Sequence, residues 1–165
     1  MLKMNSKGQT LVEMIVVISV GVLVVGGLVF ATISSLRNAN FAKNQTQVTK
    51  LAQEGIERAR SIRNQDGAVS FSHGSGLNAQ TTSKFSDLYG IQMSLTCNPC
   101  NFTINSTKTG LTYNTPPETL GNFTRKVTIT DDTNFATEKN VTVIVSWTDP
   151  TGPHESRLTT ILTKK

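Results

Sequence analysis

The sequence predicts an α+β chain in which one long N-terminal helix packs on a small antiparallel β-sheet head. Three observations predict it. Leu11 to Phe30 is a nearly unbroken apolar run. Apolar residues then recur at helical spacing from Val48 to Ile62, and from Phe123 onward Val, Thr and Ile alternate with a period of two.

The apolar run, LVEMIVVISVGVLVVGGLVF, has about twenty residues, enough helix to cross a bilayer. It is too long for the apolar core of a secretory signal peptide, and Ala31-Thr32-Ile33-Ser34-Ser35 is a poor small-x-small cleavage site. Lys3 and Lys7 precede the run, which by the positive-inside tendency places that end in the cytoplasm and the rest outside, although Arg37 and Lys43 follow it. Gly21, Gly26 and Gly27 suit close helix packing within a membrane or a bundle.

Helical spacing continues beyond the run. Val48, Leu51, Gly55, Ala59 and Ile62 recur at steps of three or four, with Ile56 alongside, while Lys50, Glu57, Arg60 and Arg63 fill the outer side. This is an amphipathic helix with one face against a core. Glu54 and Arg58 form an i,i+4 pair in the favourable order. Asn64-Gln65-Asp66-Gly67 supplies a stop signal.

Ala68 to about Leu88 has few apolar residues and much Ser, Gly and Asn, so a loop is expected there. Strands are expected at Ile91–Thr96, Phe123–Thr130, Asn140–Thr148 and Ser156–Thr163, the last two joined by the turn Asp149-Pro150-Thr151-Gly152-Pro153. One sheet face would rest on the helix. About 100 residues lie beyond the helix, enough for one small core.

The formal charge is +5, with no basic stripe interleaved with aromatics, so nucleic-acid binding gains no support. Cys97-Asn98-Pro99-Cys100 has the spacing of a redox motif, but the βαβ context of a thioredoxin-like site is missing. A zinc site needs about four ligands, and only His73 and His154 are available elsewhere. A small disulfide-closed turn between Cys97 and Cys100 is the favoured reading for an exported domain, with thiol exchange as its rival. No nucleophile stands beside a plausible base and no phosphate-binding glycine loop is present, so no enzyme activity, cofactor or metal is expected.

Glu13 is the odd residue of the apolar run. A carboxylate at the centre of a bilayer costs roughly 2.5–3.5 kcal/mol on insertion scales, and an intramembrane ionisable group calls for a partner. Lys7-Gly8-Gln9-Thr10-Leu11-Val12-Glu13 places a Gly at the end of a short basic leader and a Glu five positions later, followed by the apolar run. This segment resembles the class III signal of type IV prepilins and pseudopilins.

The resemblance implies that a membrane aspartyl prepilin peptidase cuts between Gly8 and Gln9 and that Gln9 is methylated. Gln9 departs from the Phe or Met that begins many members, so an unmethylated Gln9 could instead cyclise and lose its charge. The implied organisation is a removed leader at 1–8, a helix at 9–63 and a β-rich head at 64–165. Within the helix, 9–36 is the transmembrane or filament-core part and 37–63 the amphipathic part. Cleavage would free an α-amine on Gln9, which a neighbouring subunit's Glu13 could neutralise in an apolar filament core.

The expected function is that of a structural subunit, a major or minor pilin or a pseudopilin, of a type IV pilus or a type II secretion-like filament. Its partners would be copies of itself or other pilins, the peptidase, an inner-membrane assembly platform, and membrane lipid before assembly. It would sit in the cytoplasmic membrane first and in a surface filament afterwards. The rival reading is a single-pass anchored extracytoplasmic binding domain that never polymerises and has no need of Gly8 or Glu13.

Overall fold

A computed structural model describes residues 6–73, 80–93, 97, 99–105, 108–132 and 137–164, with the backbone alone described at 6–9, 72, 73 and 80–82. The first element is helix α1 (Ser6–Asn64), 59 residues long. The chain forms two compact units, 1–44 and 45–165.

Among its described residues the first unit is helix alone. From Leu11 to Phe41 its large apolar side chains are exposed, Leu23 at 75% and Phe30 at 76%. The hydroxyls within this stretch turn inward on their own backbone: Ser19 Oγ donates to the Ile15 carbonyl at 2.7 Å and Thr32 Oγ1 to that of Leu28 at 2.8 Å. Such back-bonding satisfies a polar group without presenting it to the surroundings. Gly21, Gly26 and Gly27 leave open space, where an added Cβ meets nothing within 4 Å.

The second unit packs residues 45–64 of α1 on a sheet. Eight strands follow in chain order: β1 (Ala68–His73), β2 (Gln80–Lys84), β3 (Cys100–Ile104), β4 (Gly110–Tyr113), β5 (Glu118–Leu120), β6 (Phe123–Asp131), β7 (Glu138–Asp149) and β8 (Gly152–Thr163). They form one sheet in the order β2-β1-β4-β3-β6-β7-β8, and β5 pairs with β6. The described pairings are antiparallel except β1 with β4. The expected class, a long helix packed on a largely antiparallel sheet, is the one observed.

Two local expectations are corrected. The expected loop at 68–88 contains β1, β2 and a 3-10 turn at Phe85–Gly90. Val69 and Phe71 are buried on alternate positions, but two apolar residues among serines make too weak a signal without the parallel partner β4. The expected strand at Ile91–Thr96 is not one where it is described: Ile91, Gln92 and Met93 join no ladder, and residues 94–96 lie outside the described residues. Met93 is buried, and its carbonyl accepts the Cys97 N–H at 2.8 Å, a local bond rather than a ladder one.

The helix ends in a Schellman motif. Gly67 N–H donates to the Ile62 carbonyl at 2.7 Å and Asp66 N–H to that of Arg63 at 3.2 Å. The left-handed residue is Asp66, at φ 49°, rather than the glycine. Gly67 is needed for a different reason, since a Cβ there would stand 2.5 Å from the Thr109 carbonyl oxygen.

Val48, Ala52, Ile56, Ala59 and Ile62 enter one core with Phe71, Phe102, Val127, Ile129, Val141, Val143, Val145 and Trp147. At Gly55 helix and sheet come closest: a Cβ would lie 2.8 Å from Val143 Cγ1 and 3.2 Å from Arg125 Cδ. Arg125, on the helix-facing side of β6, is 1% exposed. Its Nε and Nη2 donate to Glu118 Oε2 at 2.9 and 2.6 Å, and Nη1 donates to the Leu51 carbonyl at 3.1 Å. Glu54 lies 3.5 Å from Nη1 and also accepts from Arg58 Nε at 2.8 Å. Two guanidinium groups thus face two carboxylates, which is the condition for keeping a charge buried.

Replacing Gly55 with Val is expected to lower the stability of the 45–165 unit by about 1–3 kcal/mol, the usual cost of overpacking. Urea unfolding of the full chain in detergent measures it, and the same change at Gly26 should leave the midpoint where it was. The Arg58 hydrogen bond, and then the Arg58 and Arg125 charges, hold the Glu54 carboxyl below its ordinary 4.5. A depressed acid contributes its stability above the unfolded pKa and loses it as pH falls through the folded one. Acidification below about pH 4.5 should therefore weaken the wild type more steeply than Glu54→Gln. Parallel pH profiles would show that Glu54 contributes nothing.

Candidate functional site

The sequence-derived site residues fall in two places. Gly8, Gln9 and Glu13 lie on the first turns of α1, where the backbone is helical and the side chains of Gly8 and Gln9 are not described. Glu13 is exposed on the apolar stretch. Among the described residues no cation pairs with it. Its helical neighbours one turn ahead are Val16 and Val17, exposed at 53% and 65%.

The helix is long and apolar enough to cross a membrane, and its most apolar window has none of its residues buried within the chain. An apolar helical surface with one carboxylate can do two things. It can dissolve in lipid with the acid near the headgroups, or pack against similar helices that bring a cation to that acid.

Cys97 and Cys100 are joined by a disulfide with their Cα atoms 5.0 Å apart. Cys100 opens β3 opposite Ile129 and is fully buried, while Cys97 is half-buried. The bond closes the turn that leads into the sheet. Among the described residues no helix begins at Cys97, the placement that would favour a reactive thiolate. Among the described residues no group of three or more His, Cys, Asp and Glu could hold a metal ion. The His73 side chain is not described.

His154 lies at the β7–β8 turn, stacked on Trp147 with ring centroids 5.0 Å apart. Asp149 Oδ1 accepts from Thr151 N at 2.8 Å, from Thr151 Oγ1 at 2.5 Å and faces His154 Nε2 at 3.1 Å. The Thr151 hydroxyl, and then its backbone N–H and His154, hold the Asp149 carboxyl below its usual range. Thr151 and Asp149 both meet the same ring nitrogen, Nε2. A hydrolytic triad uses the two opposite nitrogens, whereas these two bonds share one and tie the β7–β8 turn.

Two buried cations escaped the sequence reading, Arg125 and Lys139. Lys139 Nζ donates to the Ile91 carbonyl at 2.8 Å and pairs with Asp131 across the β6–β7 ladder. A signal for Arg125 was present: in FTRKVTIT it shares the inward register of Phe123, Val127 and Ile129. A charge at such a position calls for a buried counter-charge.

Residues 3–29 match the family model described as the prokaryotic N-terminal methylation motif. The match covers the basic leader and most of the apolar run. No curated protein and no solved structure matches the chain. The chain carries, at residues 3–29, the class III signal peptide of type IV pilins.

Proposed function

We propose that this chain is a structural subunit of a type IV pilus or of a related secretion filament, made as a membrane-held precursor. The observation that carries the proposal is an apolar helical surface, unburied by the chain itself and interrupted by the single acid Glu13, most of which lies within the matched N-terminal motif. Prepilin peptidase would remove residues 1–8 between Gly8 and Gln9, and methylation of Gln9 would follow where its amine is not cyclised. The helix would anchor the precursor in the cytoplasmic membrane with its N-terminus inside, then enter a helical bundle at the filament centre on an inner-membrane assembly platform.

Glu13 would set the register. In an apolar filament core its carboxylate and the Gln9 amine of a neighbour attract far more strongly than in water. A misplaced subunit would bury that acid alone, at a cost of several kcal/mol. Gly21, Gly26 and Gly27 support the same reading, because small residues let helices approach closely. The 45–165 unit would form the outer surface of the filament, with the role of a structural component rather than an enzyme.

Replacing Glu13 with Leu is the test. The variant should still be cut after Gly8 and remain in the membrane, while its amount in sheared surface filaments falls at least about tenfold, the consequence of losing 1.4 kcal/mol or more per subunit. Undiminished incorporation would remove the register role. Absence of both wild type and variant from any surface filament would leave an anchored domain that does not polymerise.

A further inference from the structure

Beyond its apolar run α1 carries charge of one sign. Between Glu13 and Glu54 there is no acid, and the charged residues are Arg37, Lys43 and Lys50. All three are exposed. Among the described residues none of them meets a carboxylate, whereas Arg58 and Arg60, later on the same helix, pair with Glu54 and Glu57.

Their positions along the helix differ in one respect. Arg37 lies 24 residues after Glu13, about 36 Å of helix at 1.5 Å per residue. A hydrocarbon core is about 30 Å thick, and the bilayer with its headgroups about 40–45 Å. A span with Glu13 in one headgroup layer therefore brings Arg37 to the other. Lys43 follows about 9 Å further on. Side chains on a helix lean toward its N-terminus, so the long Lys43 side chain reaches back to the headgroups. Lys50 stands about 20 Å past Arg37, more than two Debye lengths of about 8 Å.

The surroundings of the first two cations are apolar. Ile33 and Leu36 are exposed at 45% and 60%, and Phe41, one turn past Arg37, at 43%. Cations set among unburied apolar side chains fit a lipid boundary, where the apolar groups meet acyl chains and the cations meet phosphates. Free phosphate would satisfy the charge alone.

We propose that Arg37 and Lys43 bind the phosphates of anionic lipid headgroups where α1 leaves the membrane, and that Lys50 does not. This contact rests on the membrane-anchored precursor proposed above, and adds to it a lipid class and the residues that choose it. A cation held near an anionic lipid surface is worth about fivefold in binding.

The test uses the full chain, labelled with nitrogen-15, in maltoside micelles. Short-chain phosphatidylglycerol and short-chain phosphatidylcholine are titrated separately, with sodium phosphate at equal ionic strength as a third arm. Saturable shifts at the Arg37 Nε–H and the amides of residues 37–43 are expected with phosphatidylglycerol, at an affinity about tenfold or more above that for phosphatidylcholine. Arg37→Gln and Lys43→Gln should each weaken it about fivefold, and Lys50→Gln by less than about twofold. Equal shifts with phosphatidylcholine or free phosphate would overturn the proposal. So would shifts that follow protein concentration instead of lipid, which would assign the cations to a second copy, or a loss in Lys50→Gln as large as in the other two. Insertion is read separately, from protection of residues 11–36 against protease in phosphatidylcholine vesicles. Loss of protection overturns the anchor, whereas protection without shifts specific to phosphatidylglycerol overturns the lipid contact alone.

Discussion

A single α-helix satisfies its own backbone hydrogen bonds, and that property lets one stretch of chain serve two surroundings. Over residues 10–41 the helix presents apolar side chains to its surroundings and turns its hydroxyls back on its own carbonyls. Over residues 45–64 the same backbone carries an amphipathic pattern whose inner face is buried in a sheet. No change of secondary structure separates the two; only the side chains change. A strand could not do this, because its backbone groups would need a partner in both settings.

The packing of the second stretch depends on small residues and on balanced charge. Gly55 brings the helix against Val143, and Ala52 and Ala59 continue the close approach. Arg125 lies under this contact, bridging Glu118 on β5, the Leu51 carbonyl and Glu54. The short strand β5 lies off the main strand path, so its pairing with β6 and the Glu118–Arg125 bonds hold it in place. A neutral residue of Arg125's shape would leave Glu118, itself only 18% exposed, without its cation. Breaking a buried pair in this way costs more than never having built it.

What was legible in the sequence follows from the range of the interactions. The helix was legible because its period is local and long. Strands β6, β7 and β8 were legible because each carries a run of alternating β-branched residues, and Asp149-Pro150-Thr151-Gly152 turns one into the next. Strands β1 to β5 were not. They are three to six residues long, rich in Ser, Thr and Asn, and β1 gains its inner partner β4 from forty residues away. The prepilin segment was legible because its residues are neighbours in the chain. The inward register of Arg125 was legible, but its bond to the Leu51 carbonyl was not, since that partner comes from a distant element.

Removal of residues 1–8, as proposed, would leave its mark on the N-terminus of the native protein. Intact mass and N-terminal sequencing would be measured on protein from native membranes and on sheared surface material. Chains beginning at Gln9 are expected, with the mass showing whether that residue is methylated, cyclised or free. Chains that retain residues 1–8 in both fractions would contradict it.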